Sequence, residues 1–108
     1  MAPKPYCMLR RTVVAQAPRL RVSEYTLEPG DVFPLHCHTN VREVFYCLEG
    51  ELAMALRDPV EELRLLPGQF VTVEPGRVHA SGCGGEAQCR FLIVQAGEAY
   101  DFNPFEEA

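Results

Sequence analysis

The dipeptide Pro-Gly occurs three times in this chain, at 29–30, 67–68 and 75–76, and each copy lies between short apolar runs. Proline followed by glycine fits the two central positions of a type II turn: proline presets the first φ and glycine accepts the positive φ that follows. With 9 prolines and 8 glycines spread along 108 residues, long helices are not expected and many tight turns are. The runs between them read as strands. "LRVSEYTL" (20–27) carries Leu20 and Val22 and then, after a slip, Tyr25 and Leu27 as its apolar members. Further strands are predicted at 32–38, 43–48, 52–56, 63–66, 70–73, 78–81 and 89–95. Short strands with turn signals at nearly regular spacing indicate an all-β sandwich or barrel.

The length suits one domain spanning 1–108, with a barrel core at about 20–95, an N-terminal arm at 1–19 and an acidic tail at 97–108. A core of this size is modest, so association with a second copy would help its stability. The tail has no clear period, but Tyr100, Phe102 and Phe105 predict that it docks on the body. A net charge of −5 argues against nucleic acid, which is normally met by a basic patch. Lys4, Arg10, Arg11, Arg19 and Arg21 gather in the first 21 residues, and Glu98, Asp101, Glu106 and Glu107 in the last 11. Two solvated termini are the favoured reading, since exposed ion pairs contribute little. No window approaches the roughly 18 apolar residues of a membrane helix, and the first residues lack a secretory signal's apolar stretch. Five cysteines (Cys7, Cys37, Cys47, Cys83, Cys89) with no Cys-x-x-Cys pair suit free thiols in a reducing cytoplasm.

Two of the three histidines, His36 and His38, stand one residue apart in "GDVFPLHCHTNVREVFYCLEG" (30–50), and Glu43 follows five residues after His38. On a strand that spacing puts both imidazoles on one face, roughly 6.5–7 Å apart along the backbone. Glu43 opens the next strand, so a hairpin-like return can bring its carboxylate alongside. His79 follows the turn "EPGR" and can approach from a neighbouring strand. Three imidazole nitrogens and one carboxylate oxygen suit one divalent transition metal (iron, manganese, nickel, cobalt, copper or zinc) and suit calcium poorly. Taken alone, His-x-His is a weak pattern. An octahedral ion held by four protein ligands keeps two adjacent positions open.

These residues resemble the cupin superfamily. Its first motif matches at Gly30, His36, His38, Glu43 and Gly50, and its second at Gly68, Gly76 and His79. Glu74 stands where a proline is expected in the second motif, and Cys83 replaces its final asparagine. The resemblance implies a small antiparallel β-barrel of jelly-roll type, with His36, His38, Glu43 and His79 holding one metal inside. It further implies a small-molecule substrate at the open metal positions, in a dioxygenase, isomerase, decarboxylase or lyase. The alternative is a non-catalytic barrel that binds or senses a small ligand. Cupins of this kind commonly pair sheet to sheet, and Val44, Tyr46 and Leu48 would need cover, so a homodimer is expected.

If Glu43 points inward, strand alternation turns Phe45 and Cys47 inward too, and Val44 and Tyr46 outward. Cys47 is then too far along the strand to be a ligand, and Cys37, between the histidines, points away from the metal. Phe45, Met54, Phe91 and Ile93 are the candidates for an apolar, substrate-lining wall.

Overall fold

Each Pro-Gly pair closes the turn its sequence calls for. In the computed structural model, which describes residues 10–105, the Asp31 amide donates to the Glu28 carbonyl at 3.0 Å. Gln69 donates to Leu66 at 2.9 Å, and Arg77 to Glu74 at 3.1 Å. Gly30, Gly68 and Gly76 take φ of +93°, +90° and +84°, the positive values that a type II turn demands at its third residue.

Ten strands are found among the described residues, and no helix. They are β1 (Arg10–Ala17), β2 (Leu20–Leu27), β3 (Val32–Cys37), β4 (Val41–Glu49) and β5 (Leu52–Leu56), then β6 (Glu61–Leu65), β7 (Phe70–Val73), β8 (His79–Cys83), β9 (Cys89–Gly97) and β10 (Asn103–Pro104). They form two five-stranded antiparallel sheets, ordered β1-β2-β9-β4-β7 and β10-β3-β8-β5-β6. From β2 to β5 and again from β6 to β9 the chain crosses repeatedly between the sheets, so the fold is an all-β jelly-roll barrel. Leu27, Phe45, Cys47, Leu52, Met54, Leu56, Cys89 and Phe91 fill the space between the sheets.

Three strands depart from the sequence reading; one is β10, a two-residue strand in the tail, for which the sequence predicts none. Residues 10–17, taken as part of an arm, form β1, whose side chains are all exposed and whose pairing with β2 is bulged between Val13 and Ala15. Neither burial nor alternation marks such a strand. β2 holds an unbroken register with β9 from Leu20 to Leu27, so there is no slip within it. Leu20 and Val22 face outward, while Ser23, Tyr25 and Leu27 face the core. Lys4, Cys7, Glu106 and Glu107 lie outside the described residues. The basic and acidic termini do meet at one place, Arg19 to Glu98 at 3.5 Å, but both side chains are largely exposed and the pair contributes little.

Cys37, Cys47, Cys83 and Cys89 are free thiols. Cys47 and Cys89 are wholly buried, and burial pushes the Cys89 thiol up to about 12, which makes it an inert core residue. No helix among the described residues is long and apolar enough to cross a membrane.

Gly50, between β4 and β5, is required twice over. Its φ is +74°, and a Cβ there would lie 2.4 Å from the Gln88 carbonyl oxygen. At Gly30, also at positive φ, a Cβ would meet nothing within 4 Å. Gly50→Ala is therefore expected to lower stability by clearly more than the ~1 kcal/mol of a backbone-strain effect, and Gly30→Ala to stay near that value. Urea midpoints of the two variants, at equal m-value, check this.

Candidate metal centre

Sheet register delivers the four side chains. β3 pairs with β8 so that His36 lies opposite His79, and β4 pairs with β9 so that Glu43 lies opposite Gln95. The two sheets face each other across this level. His36, His38, Glu43 and His79 are all buried, and one donor atom from each lies within 4.8 Å of every other. The imidazole centroids are 4.4–5.7 Å apart.

Each histidine is fixed through Nδ1 to a backbone carbonyl, and each carbonyl is freed by a different local device. Pro34 has no N–H, and the β3–β8 ladder breaks between Phe33 and His36, as expected of proline inside a strand. The Pro34 carbonyl then accepts from His36 Nδ1 at 2.6 Å. His79 Nδ1 donates to the Arg77 carbonyl at 2.8 Å, at the exit of the 74–77 turn. The Gly76 amide of that same turn holds the His38 carbonyl at 2.7 Å, so the two motifs grip each other. His38 Nδ1 donates to the Asp101 carbonyl in the tail. Asp101 is itself held by Thr39, whose amide donates to Oδ1 at 2.8 Å, and by Asn103, whose side chain donates to Oδ2 at 2.9 Å.

With a proton fixed on Nδ1, a neutral imidazole presents its Nε2 lone pair to the interior. His79 Nε2 lies 2.9 Å and His38 Nε2 lies 3.2 Å from Glu43 Oε1, yet Glu43 Oε1 and His79 Nε2 make no hydrogen bond. Buried ligand atoms thus face one another at close range without hydrogen bonds, an arrangement that a cation resolves. The donor set and these orphaned atoms fit a divalent transition ion.

The other Glu43 oxygen is accounted for. Gln95 Nε2 donates to Oε2 at 2.8 Å, and Arg21 donates to Gln95 Oε1 from Nε at 3.0 Å and Nη2 at 2.6 Å. Arginine has only donors, so it fixes which way round the Gln95 amide sits and turns its NH2 to the carboxylate. Burial pushes the Glu43 pKa up, but His38 and His79 outweigh it and hold the carboxyl well below its usual range. Burial lowers His36 to about 4. Burial also pulls on His38, but the Glu43 carboxylate and the Asp101 carbonyl overcome it and raise that imidazole.

A cavity of about 40 Å³ adjoins the cluster, lined in part by Phe45 and Ile93. Met54 and Phe91, named with them from the sequence, sit in the core instead. Phe91 is opposite Cys47, four pairs along β4 from Glu43, and is sandwiched between Tyr25 at 5.6 Å and Phe45 at 6.3 Å. Met54 belongs to the core cluster, opposite Ser81 and Leu63, and borders a different cavity with Phe33 and Ser81. The tail roofs the site: Phe102 stacks on His36 at 4.5 Å, and the Tyr100 ring is 4.9 Å from His38. Gln95, Arg21, Tyr25, Ser81 and the two tail aromatics were not read as site residues. The β2 slip hid Arg21 and Tyr25, which share the inward face.

The family model for the cupin domain matches residues 23–95, and the chain belongs to the cupin family. Solved structures agree on the fold. An uncharacterized double-stranded β-helix protein of Klebsiella pneumoniae superposes with a TM-score of 0.78 at 22% identity, covering 91% of this chain and 84% of its own. A protein of Thermus thermophilus gives 0.76 at 26%, covering 91% and 89%. Oxalate decarboxylase of Bacillus subtilis gives 0.72 at 21%, covering 81% of this chain and 24% of its own. No curated protein matches the chain in sequence.

Gln95→Leu keeps the side-chain volume but leaves Glu43 Oε2 buried without its donor. A loss of about 1–3 kcal/mol is expected in urea unfolding of the metal-free protein, with a larger loss for Gln95→Glu, which sets two carboxylates face to face.

Proposed function

We propose that this cupin holds one divalent transition metal through His36, His38, Glu43 and His79 and acts on a small molecule at the open metal positions. The observation that carries this reading is the set of four buried side chains whose donor atoms lie within 4.8 Å of one another, with Glu43 Oε1 and His79 Nε2 lacking hydrogen-bond partners and each imidazole anchored through Nδ1. Iron, manganese, nickel, cobalt, copper and zinc all suit the donor set. Bound there, the ion supplies Lewis-acid stabilisation of developing negative charge.

The chain's own residues do the rest. Gln95 and Arg21 hold Glu43 ionised with Oε1 turned to the cluster. Phe45, edge-on to His79 at 5.6 Å, and Phe102 exclude water from two sides. Tyr25, whose hydroxyl burial keeps protonated, is the one phenol on the inner strand faces of the cavity. Among the reaction classes, decarboxylase, lyase, isomerase and dioxygenase chemistry all use such a site; the fold likeness to an oxalate decarboxylase supports the family, and a fold hosts many chemistries. The free thiols support a reducing, cytoplasmic setting.

Metal analysis after reconstitution is expected to give one ion per chain. His79→Ala should retain the β circular dichroism spectrum and lose metal affinity by more than the ~10–100-fold that an outer partner costs. Turnover of a small acid, or oxygen uptake, should vanish with it. A wild-type protein that binds no divalent transition ion sinks the reading.

We also infer a homodimer through the outer face of the β1–β7 sheet. Val22, Val94 and Val44 form one row across it, and Leu92, Tyr46 and Phe70 the next. Phe70 is 61% exposed and stacks on Tyr46 at 6.4 Å, a contiguous apolar patch of the kind that marks an interface. Light scattering should give twice the chain mass, and Phe70→Glu should halve it without unfolding the protein; a wild-type monomer across a wide concentration range refutes the dimer.

A further inference from the structure

The cavity beside the cluster has a polar end that the metal reading does not use. Arg11 of β1 lies opposite Tyr25 of β2 in the sheet register. Both line the cavity, and among the described residues Arg11 is the one lysine or arginine that does so. Stacking on Phe91 at 5.6 Å and edge contact with Phe33 at 5.4 Å fix the Tyr25 ring.

Ser81 adds an independent sign of a ligand. It lies two residues beyond His79 on the same face of β8, is 4% exposed and lines the cavity. Its Oγ has no hydrogen-bond partner. A buried hydroxyl without a partner loses its hydrogen bonds to water without replacement, a cost that a bound acceptor removes.

Charge points the same way. A divalent ion with one carboxylate and three neutral imidazoles leaves a net positive centre, and Arg11 adds to it. This cationic pocket sits in a chain of net charge −5, so it concentrates a small anion that the rest of the surface repels.

We propose that Arg11 and Tyr25 form an anion subsite that takes the carboxylate of a small organic acid, with Ser81 and the metal cage receiving its remaining oxygens. This rests on the metal reading above and specifies its substrate class. A guanidinium fork matches a planar carboxylate in two parallel hydrogen bonds. The aromatic faces of Phe33 and Phe102 on the cavity wall favour a flat group over a tetrahedral phosphate. The volume, about 40 Å³, is that of about three waters at 10–15 Å³ each, so the acid has very few carbons.

The test uses the full chain loaded with Co²⁺, titrated with acetate, glycolate, acetamide and inorganic phosphate while the visible cobalt bands are followed. Acetate and glycolate should shift the bands and acetamide should not. Arg11→Gln should weaken the carboxylates at least tenfold with Co²⁺ affinity unchanged, and Arg11→Lys should fall between. Equal effects of acetate and acetamide, tighter binding of phosphate, or unchanged carboxylate affinity in Arg11→Gln overturns the subsite. If Co²⁺ does not bind, the metal reading fails by itself. The subsite is then judged on the thermal shift that glycolate gives metal-free protein: a shift abolished by Arg11→Gln supports it, and none in wild type overturns it.

Discussion

Glu43 is a carboxylate 2% exposed inside a small barrel, and the arrangement of this protein follows from the need to keep it there as an anion. Taking an ion out of water costs several kcal/mol unless it is paired and hydrogen-bonded. One oxygen is met by Gln95, itself aligned by Arg21. The other faces imidazole nitrogens at 2.9 and 3.2 Å and makes no hydrogen bond. The interior is thus complementary to a positive charge. The polar groups that make it so are satisfied on their far sides, by three carbonyls and an amide, before any ion arrives.

That preorganisation comes from backbone rather than side-chain chemistry. A proline in β3 opens the ladder and frees one carbonyl, and a Pro-Gly turn offers a second while its amide pins His38. The same turn residues that divide the chain into short strands are therefore the ones that aim the imidazoles. Glu74, which stands where the family pattern has proline, occupies the first position of that turn and pairs with Arg42 at 2.8 Å, so the turn keeps its geometry. Cys83, in place of the expected asparagine, turns its thiol to the Ala87 carbonyl at 3.0 Å, away from the cluster.

Much of this was legible in the chain because it is local. Strand alternation places Glu43, Phe45 and Cys47 on one face and Val44 and Tyr46 on the other, as the burial of β4 shows. The spacing of His36 and His38 and the turn before His79 are likewise short-range signals. What escaped is what pairs across the sequence. Gln95 meets Glu43 over 52 residues and Arg21 over 74 meets Gln95, and no period in either segment announces the contact. The tail carries no repeat, so its aromatics could be expected to dock, but nothing in the sequence said that they would dock on His36 and His38. β1 was missed because a fully exposed, bulged strand lacks the apolar rhythm by which strands are recognised.

The bond from His38 to the Asp101 carbonyl spans 63 residues, and it sets an order of events. A ribosome releases His36, His38 and Glu43 first, then His79, and Asp101 only after the nine longer strands have been made. His36 and His79 carry their anchors two residues away and are oriented as soon as their own segments fold. His38 has to wait for the tail. The half-site that emerges early, two imidazoles and a carboxylate, is thereby left unfinished during synthesis, and the centre is assembled as a late step in the making of the chain.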